Sequence, residues 1–106
     1  MHSPSEMAKA GCTTLRGIRH WEKLGLLGEV ARSNGDTRQY TAEQLDKAKI
    51  IAAAQFGSFD LETVKQMLAE WDMQVYEAIC TRLEAQMMAA MRLIEELPKP
   101  SQGYDL

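Results

Sequence analysis

Four basic side chains lie within eight residues of the segment TLRGIRHWEKLGLL, which covers positions 14–27. Guanidinium, ammonium and imidazole groups donate hydrogen bonds to phosphate oxygens, and arginine also pairs with the edge of guanine. Apolar residues separate these cations, so the segment combines an anion-binding surface with a surface to bury. The basic residues are Arg16, Arg19, His20 and Lys23.

A helix would place the two kinds of side chain on different faces. At about 100° per residue, the four basic residues share an arc of about 100°. The opposite side carries Leu15, Ile18 and Trp21. Thr13 or Thr14 supplies the N-cap, and Gly25 ends the helix. The alternative is an ordinary amphipathic helix whose charges are only solvated.

A shorter helix precedes this basic one. Ser3 to Glu6 read Ser-Pro-Ser-Glu, which offers an N-cap serine, a proline at the first helical position and a capping-box glutamate. The helix is expected to run through Ala10, and Gly11 to end it in the left-handed conformation. Two helices joined by a tight turn predict a helix-turn-helix.

The next segment, GEVARSNGDTRQYT (28–41), has the pattern of a two-stranded wing. Asn34 and Gly35 can supply the positive φ angles of a tight hairpin turn. Arg32 on one arm, and Arg38 and Tyr40 on the other, could then reach a phosphate backbone. The alternative is a plain connecting hairpin.

A second pair of helices follows the wing. Thr41 and Gln44 form a capping box, and Gly57 closes the helix that they open. The expected core stripe of this helix is Leu45, Ala48, Ala52 and Phe56. Asp60 caps the next helix, on which Leu61, Val64 and Leu68 face the core. Lys65 on this helix is either solvated or a supplementary phosphate contact.

A long helix is predicted from Trp71 to Leu97, where Pro98 stops it. Apolar residues recur at alternating spacings of three and four, as in a coiled-coil seam, and a second row widens the stripe. One short chain cannot cover that stripe, so a dimer is predicted; the alternative for the methionines is an adaptable face for another partner. The predicted dimer interface is Tyr76, Ile79, Leu83, Gln86, Met87, Ala90, Leu93, Ile94 and Leu97.

Charge and composition narrow the class of protein. Residues 1–41 hold six basic and four acidic side chains, whereas residues 42–106 hold six basic and eleven acidic ones, so the net charge of −3 conceals a basic N-terminal part. No apolar run reaches the ~18 residues of a membrane span, and no signal peptide is evident, which predicts a soluble, cytoplasmic protein. Cys12 and Cys80 are expected to be buried thiols.

These segments together resemble the MerR family of bacterial transcriptional regulators over residues 3–97. LRGIRHWEKLGLL resembles the family's Leu-Arg-aromatic-aromatic-Glu-x-x-Gly-Leu-Leu signature, and TRQYT resembles its wing-closing Arg-x-Tyr-Ser/Thr. The resemblance implies a mainly α protein with a winged helix-turn-helix DNA-binding domain over 3–70. A dimerisation helix over 71–97 would form an antiparallel coiled coil, followed by a flexible tail over 98–106.

The family resemblance also implies function and site residues. A homodimer would bind a palindromic promoter in double-stranded DNA and distort it, with RNA polymerase as the further partner. Arg19, His20 and Trp21 match the recognition helix, Arg38 and Tyr40 match the wing, and Lys65 matches a backbone contact. Geometry adds neighbouring residues, so the complete predicted DNA-binding set is Thr14, Arg16, Arg19, His20, Trp21, Arg32, Arg38, Tyr40 and Lys65.

This sequence also departs from the family pattern. His20 replaces a tyrosine, and almost nothing follows Leu97, where family members carry their sensing region. Cys80 matches the first cysteine of the metal-sensing members, but residues 98–106 contain no further Cys or His. We therefore expect no cofactor and no metal, and either no effector or a small one at the dimer interface near Trp71, Met73 and Tyr76.

Two other classes of function compete with a regulator. An excisionase-like DNA-bending factor, or an antirepressor that pairs its long helix with another protein, would also fit an acidic C-terminal half without a sensing region. An enzyme fits least, since the sequence has no adjacent nucleophile and base and no phosphate-binding glycine loop. Of the two histidines, His2 is expected in a tail and His20 on the basic helix.

Overall fold

The computed structural model describes residues 1–100 of the 106-residue chain. Within these residues, five α-helices and a two-stranded antiparallel sheet follow one another in a winged helix-turn-helix arrangement, and the last of these helices is much the longest. The elements are α1 (Pro4–Ala10), α2 (Leu15–Lys23), β1 (Ala31–Arg32), β2 (Arg38–Gln39), α3 (Ala42–Phe56), α4 (Leu61–Ala69) and α5 (Met73–Glu96). The predicted tail falls, from residue 101 onward, outside the described residues.

Side-chain caps begin the helices where the sequence predicts them. The Ser3 and Thr41 side chains each accept a hydrogen bond from the backbone of N3 in complete capping boxes, and Asp60 caps α4. Thr14, rather than Thr13, caps α2 by accepting from the Gly17 backbone N–H. These local hydrogen bonds satisfy amide groups that have no partner within the helix.

The core forms where α1, α2 and α3 meet the end of the wing. Gln44 is the buried polar residue of this region, and its Nε2 donates to the carbonyl oxygens of Leu27 and Glu29 at 3.1 and 2.8 Å. These two bonds fix the loop that leads from α2 into the wing. The largest fully buried side chains are Tyr40, Met7, Ile18, Leu27, Ile51 and Val64.

The structure places the left-handed residues differently from the sequence prediction. Gly11 has a φ of −85°, and the following Cys12 takes the left-handed conformation with a φ of 50°. In the turn between β1 and β2 the positive φ belongs to Asp36, at 61°, and not to Asn34 or Gly35. Asp is one of the few residues with a side chain that tolerates this conformation.

Two apolar residues that the sequence predicts to be buried are exposed in the structure. Leu15 is 44% exposed although the helical pattern predicts it on the buried side of α2, and Phe56 is 76% exposed although the same pattern predicts it in the core stripe of α3. The buried residues of α3 are instead Gln44, Ala48, Ile51 and Ala54. The expectation of two buried thiols is wrong as well, because Cys12 is exposed and Cys80 is half-buried.

The long helix α5 has two unlike halves. Its N-terminal half packs against α3, where Ile79 is buried and Leu83 is partly buried. Ile79 therefore belongs to the core of its own chain, which corrects its assignment to the dimer interface. Beyond Leu83 the helix extends away from the core, and its large apolar side chains are exposed. Among residues 1–100, no helix combines the length and the hydropathy needed to cross a membrane.

Candidate nucleic-acid interface

The helix α2 is held close to α1 by a contact that only glycine permits. A Cβ atom on Gly11 would lie 2.7 and 2.9 Å from ring atoms of Trp21, which is closer than carbon atoms approach each other. Gly11 therefore serves a close helix approach rather than a left-handed turn. Trp21 is 4% exposed and packs in the core, so the prediction that it contacts DNA is wrong for this conformation.

The opposite face of α2 is basic and open. Arg16, Arg19, His20 and Lys23 are all exposed, and none of them forms an ion pair within the described residues. Thr14 is exposed at the start of the same helix. Free cationic donors on one face of a helix are what contacts with phosphates and base edges in a major groove require.

The wing stands beside this face. β1 and β2 pair Ala31 with Gln39 and Arg32 with Arg38, and the chain reverses through a turn in which the Asp36 amide donates to the Ser33 carbonyl oxygen at 2.9 Å. Arg32 is exposed, and its Nη1 donates to the Asp36 carboxylate at 3.3 Å. Exposed pairs of this kind are weak, so a phosphate could replace Asp36 as the partner of Arg32.

Glu22 joins α2 to the wing. The Nε atom of Arg38 donates to the Glu22 carboxylate at 3.2 Å, and the Glu22 side chain is only 14% exposed. Sequence reasoning missed this contact because it spans 16 residues, although Glu22 is the glutamate of the family signature and an acidic residue on an otherwise basic helix. Because Nε binds Glu22, the other two guanidinium nitrogens of Arg38 can still donate to an anion.

A cleft separates α2 from the wing. It has a volume of about 160 Å³, and Arg19 of α2 and Arg38 of β2 are among the residues that line it. Leu15 and Thr37 contribute to the same walls, which explains why Leu15 is exposed. The cleft residues are Pro4, Leu15, Ile18, Arg19, Asp36, Thr37, Arg38 and Tyr40. One arginine from each element therefore lines the same narrow space, together with the acidic Asp36.

Tyr40 lies at the base of the wing and is fully buried. Burial raises the pKa of its phenol above the ordinary value, and the nearby Glu22 carboxylate raises this pKa further. The predicted contact between the Tyr40 side chain and DNA phosphate is therefore wrong for this conformation. Tyr40 instead anchors the wing to the core.

The first residues of the chain pair with the end of the wing. His2 exchanges two backbone hydrogen bonds with Tyr40, of 2.7 and 3.0 Å, and so forms an antiparallel bridge. The His2 Nδ1 lies 2.9 Å from the Glu6 carboxylate, and this hydrogen bond lowers the pKa of Glu6. The expectation that His2 lies in a tail is therefore wrong. The sequence could not predict this bridge, because a single paired residue has no alternating strand pattern.

Lys65 lies on the exposed face of α4, beside the end of α2. It lines a depression of about 150 Å³ together with Leu24, Leu26, Leu61 and Glu62. Its ammonium group forms no ion pair with residues 1–100. The contact of Lys65 with phosphate stays a prediction.

Comparison with known proteins identifies the family. Residues 3–71 match the sequence profile of the family described as MerR HTH family regulatory protein, and this stretch is well over half of the chain. The chain belongs to the MerR family. Residues 3–71 therefore carry the helix-turn-helix region of this family, and α2 is the second helix of that motif.

A curated MerR-type relative is the HTH-type transcriptional regulator ZntR of Escherichia coli. The two are 32% identical over 69 residues, which cover 65% of this chain and 49% of ZntR. The ZntR of strain O157:H7 matches with the same figures. The chain thus spans about half the length of the curated relatives it matches.

Solved structures of transcriptional regulators share the fold. SkgA from Caulobacter crescentus superposes with a TM-score of 0.70 at 22% identity, covering 89% of this chain and 70% of SkgA. HiNmlR, described as a MerR family regulator lacking the sensor domain and bound to promoter DNA, gives 0.67 at 16% identity, covering 89% and 82%. PbrR691 from Ralstonia metallidurans CH34, in complex with lead(II), gives 0.57 at 25% identity, covering 90% and 78%.

Proposed function

We propose that this MerR-family chain is a sequence-specific transcriptional regulator that binds a palindromic promoter site as a homodimer. Residues 3–70 would bind DNA, with α2 as the recognition helix, and residues 71–97 would join two copies through an antiparallel coiled coil. Distortion of the bound promoter, in a form that RNA polymerase then uses, is the mechanism that the family resemblance implies. No catalytic step, cofactor or metal is part of this proposal.

The observation that carries the proposal is the cleft between α2 and the wing. Arg19 of α2 and Arg38 of the wing line it, and Arg16 and His20 extend the basic surface along the exposed face of α2. One surface could therefore read base edges through the helix and grip the phosphate backbone through the wing. The proposed DNA-binding set is completed by exposed residues around it, which are Thr14, Arg32 and Lys65.

The exposed apolar face of α5 supports the proposal that a second copy of the chain binds there. Tyr76, Met87, Leu93, Ile94 and Leu97 are each about half exposed or more. An apolar surface of this extent is uncommon on a monomer and is typical of protein interfaces. Two DNA-binding units held in fixed orientation would match the two halves of a palindrome.

The test is a gel shift and footprint on the DNA upstream of the protein's own gene, repeated at several salt concentrations. With four or five cations near phosphate in each subunit, a dimer should neutralise about eight to ten phosphates. The logarithm of affinity should then fall with the logarithm of salt with a slope of about −7 to −9. Protection of a two-fold symmetric site is the expected footprint.

Two results would contradict the proposed function. A chain that stays monomeric at micromolar concentration and still bends DNA would favour the architectural factor. Affinity that does not respond to salt would exclude the basic surface as the DNA contact.

A further inference from the structure

Arg82 of α5 reaches back to the turn between α3 and α4. Its Nη1 donates a hydrogen bond of 2.8 Å to the carbonyl oxygen of Gly57, the C-cap residue of α3. Its guanidinium carbon lies 4.3 Å from the centroid of the Phe59 ring, within the range of a cation–π interaction. Among residues 1–100, no second side-chain hydrogen bond joins α5 to another helix.

Gly57 leaves room for this contact. A Cβ atom at Gly57 would lie 3.1 Å from the Arg82 Cγ, which is closer than most carbon pairs approach each other. The φ of Gly57 is −77°, a value that any residue adopts, so the backbone conformation does not require a glycine here. The space that this glycine leaves is instead occupied by the stem of Arg82.

Arg82 also supplies a positive charge that α3 itself lacks. The last turn of α3 holds no basic residue, although the carbonyl groups at the C-terminus of a helix carry a partial negative charge. The Arg82 guanidinium lies at this helix end, and it forms no ion pair with a carboxylate of residues 1–100. Arg82 is therefore held by a carbonyl oxygen, an aromatic ring and a helix end, all of which belong to the winged-helix unit.

These contacts lie where α5 leaves the rest of the chain. Ile79, one turn before Arg82, is the buried residue of α5, and Leu83 is partly buried. Beyond Leu83 the large apolar side chains of the helix are exposed. Since α5 packs against α3, Arg82 joins the two helices at the last point where α5 is supported by its own chain.

A small change of angle at this point would have a large effect at the end of the helix. From residue 82 to residue 96, α5 extends for about 21 Å, at about 1.5 Å per residue. A tilt of about 10° at Arg82 would move the end of the helix by about 4 Å, which is close to the rise of about 3.4 Å per base pair of DNA. In a dimer joined through α5, such a tilt would change the separation of the two DNA-binding units by a similar amount.

We propose that Arg82 is a positioning residue that fixes the angle between α5 and the winged-helix unit, and so determines the spacing of the two half-sites that the dimer recognises. The inference rests on the homodimer of the proposed function and adds the residue that sets its geometry. Arg82 does not contact DNA in this proposal. It acts only through the orientation of α5, which distinguishes it from the basic residues of α2.

The distance between the two DNA-binding units tests the proposal in the absence of DNA. In a Cys80→Ser background, a nitroxide label on the exposed Cys12 places one spin in the turn between α1 and α2 of each copy. Pulsed electron paramagnetic resonance then measures a single distance within the dimer. We expect a narrow distribution with the native Arg82 and a clearly broader one for Arg82→Met, which keeps an apolar stem but loses the guanidinium group. Arg92→Met removes an equal charge from an exposed position farther along α5 and should leave the distribution unchanged.

DNA sites of different spacing test the consequence for specificity. The footprinted site is synthesised with one base pair inserted or removed between the half-sites, and fluorescence anisotropy measures the affinity for each. The wild type should lose ~10-fold or more in affinity when the spacing changes, and Arg82→Met only ~3-fold or less. Base changes within one half-site should have the same effect on both proteins, because the contacts of α2 with DNA are unaltered.

The outcomes separate this inference from the proposed function. A broad distance distribution in the wild type, or an Arg82→Met variant with the wild-type distribution and spacing preference, would overturn the role of Arg82 and leave the homodimer standing. A wild type that is monomeric in analytical ultracentrifugation, or that protects no two-fold site, would overturn the proposed function and this inference with it.

A second variant covers the case in which Arg82→Met does not fold, as judged by circular dichroism. Phe59→Leu removes the ring beside the guanidinium group but keeps an apolar side chain in its place. The label on Cys12 should again report a broader distance distribution. An unchanged distribution in Phe59→Leu would then overturn the inference.

Discussion

The Arg38 guanidinium binds the Glu22 carboxylate through an Nε hydrogen bond of 3.2 Å, so the wing and α2 are joined by one ion pair. Both side chains are partly buried, which limits screening by salt. Together with the buried Tyr40 beside them, these residues set the width of the cleft between the two elements. The angle of the wing therefore depends on an acidic residue that is not itself a phosphate ligand.

Replacing Glu22 with Gln should loosen this joint while keeping the shape of the side chain. We expect a loss of about 1 kcal/mol in the free energy of unfolding. Specific DNA binding should weaken relative to non-specific binding, because Arg38 keeps its charge but loses its fixed position. The ratio of the two affinities, measured by competition, checks this. An unchanged ratio would mean that the ion pair has no positioning role.

Replacing Arg19 with Ala should cost ~1–3 kcal/mol in binding to the cognate site and relax the sequence preference, if its guanidinium reads a base. Fluorescence anisotropy with the cognate site and single-base variants measures both effects. Arg92→Ala removes an equal charge from α5, far from the cleft, and should leave the affinity nearly unchanged. Equal losses for the two variants would point to a general charge effect.

Replacing Gly11 with Ala should destabilise the fold by about 1–3 kcal/mol, because the new methyl group would overlap the Trp21 ring. Urea unfolding followed by circular dichroism measures the change. Gly35→Ala is the control: its nearest neighbour, the Ser33 Oγ, is 3.9 Å away, and its φ is not positive. A stable Gly11→Ala variant would show that α1 and α2 can separate at little cost.

The buried phenol of Tyr40 should make the fold sensitive to alkali. Folding raises the pKa of Tyr40, so its contribution to stability is complete below the unfolded value of about 10 and is lost as the pH rises through the folded value. Tyr40→Phe should flatten the alkaline limb of a plot of stability against pH. The pKa of Tyr76 is also raised, by its hydrogen bond with Cys80, so the comparison is made in a Tyr76→Phe background.

Glu22 also influences this titration. Its carboxylate raises the pKa of Tyr40, so Glu22→Gln should shift the Tyr40 titration toward lower pH in an ultraviolet absorbance experiment. A titration that stays in place would indicate that burial alone determines the pKa.

Local signals in the sequence predict most of the helices, and the structure confirms them. Capping boxes at Ser3 and Thr41 and the cap at Asp60 begin helices where expected, because their hydrogen bonds join residues three positions apart. The basic face of α2 is predictable for the same reason, since helical periodicity alone brings its residues together.

Contacts between residues far apart in the sequence account for the predictions that the structure corrects. Gly11 has the pattern of a helix stop, but its role depends on Trp21 in the next helix. Phe56 fits the predicted apolar stripe of α3. In the structure, however, the core face of this helix passes through Ile51 and Ala54, and Phe56 is exposed. The contact between Arg38 and Glu22 joins residues 16 positions apart. Periodicity within one element carries no information about any of these partners.

The backbone pairing of His2 with Tyr40 has a practical consequence for laboratory work with this protein. A purification tag fused ahead of Met1 would emerge near the cleft between α2 and the wing, where bulk or a run of histidines would add its own affinity for nucleic acid. Binding constants measured on such a fusion would describe the appended peptide as much as the protein, so the tag should be cleaved before any titration.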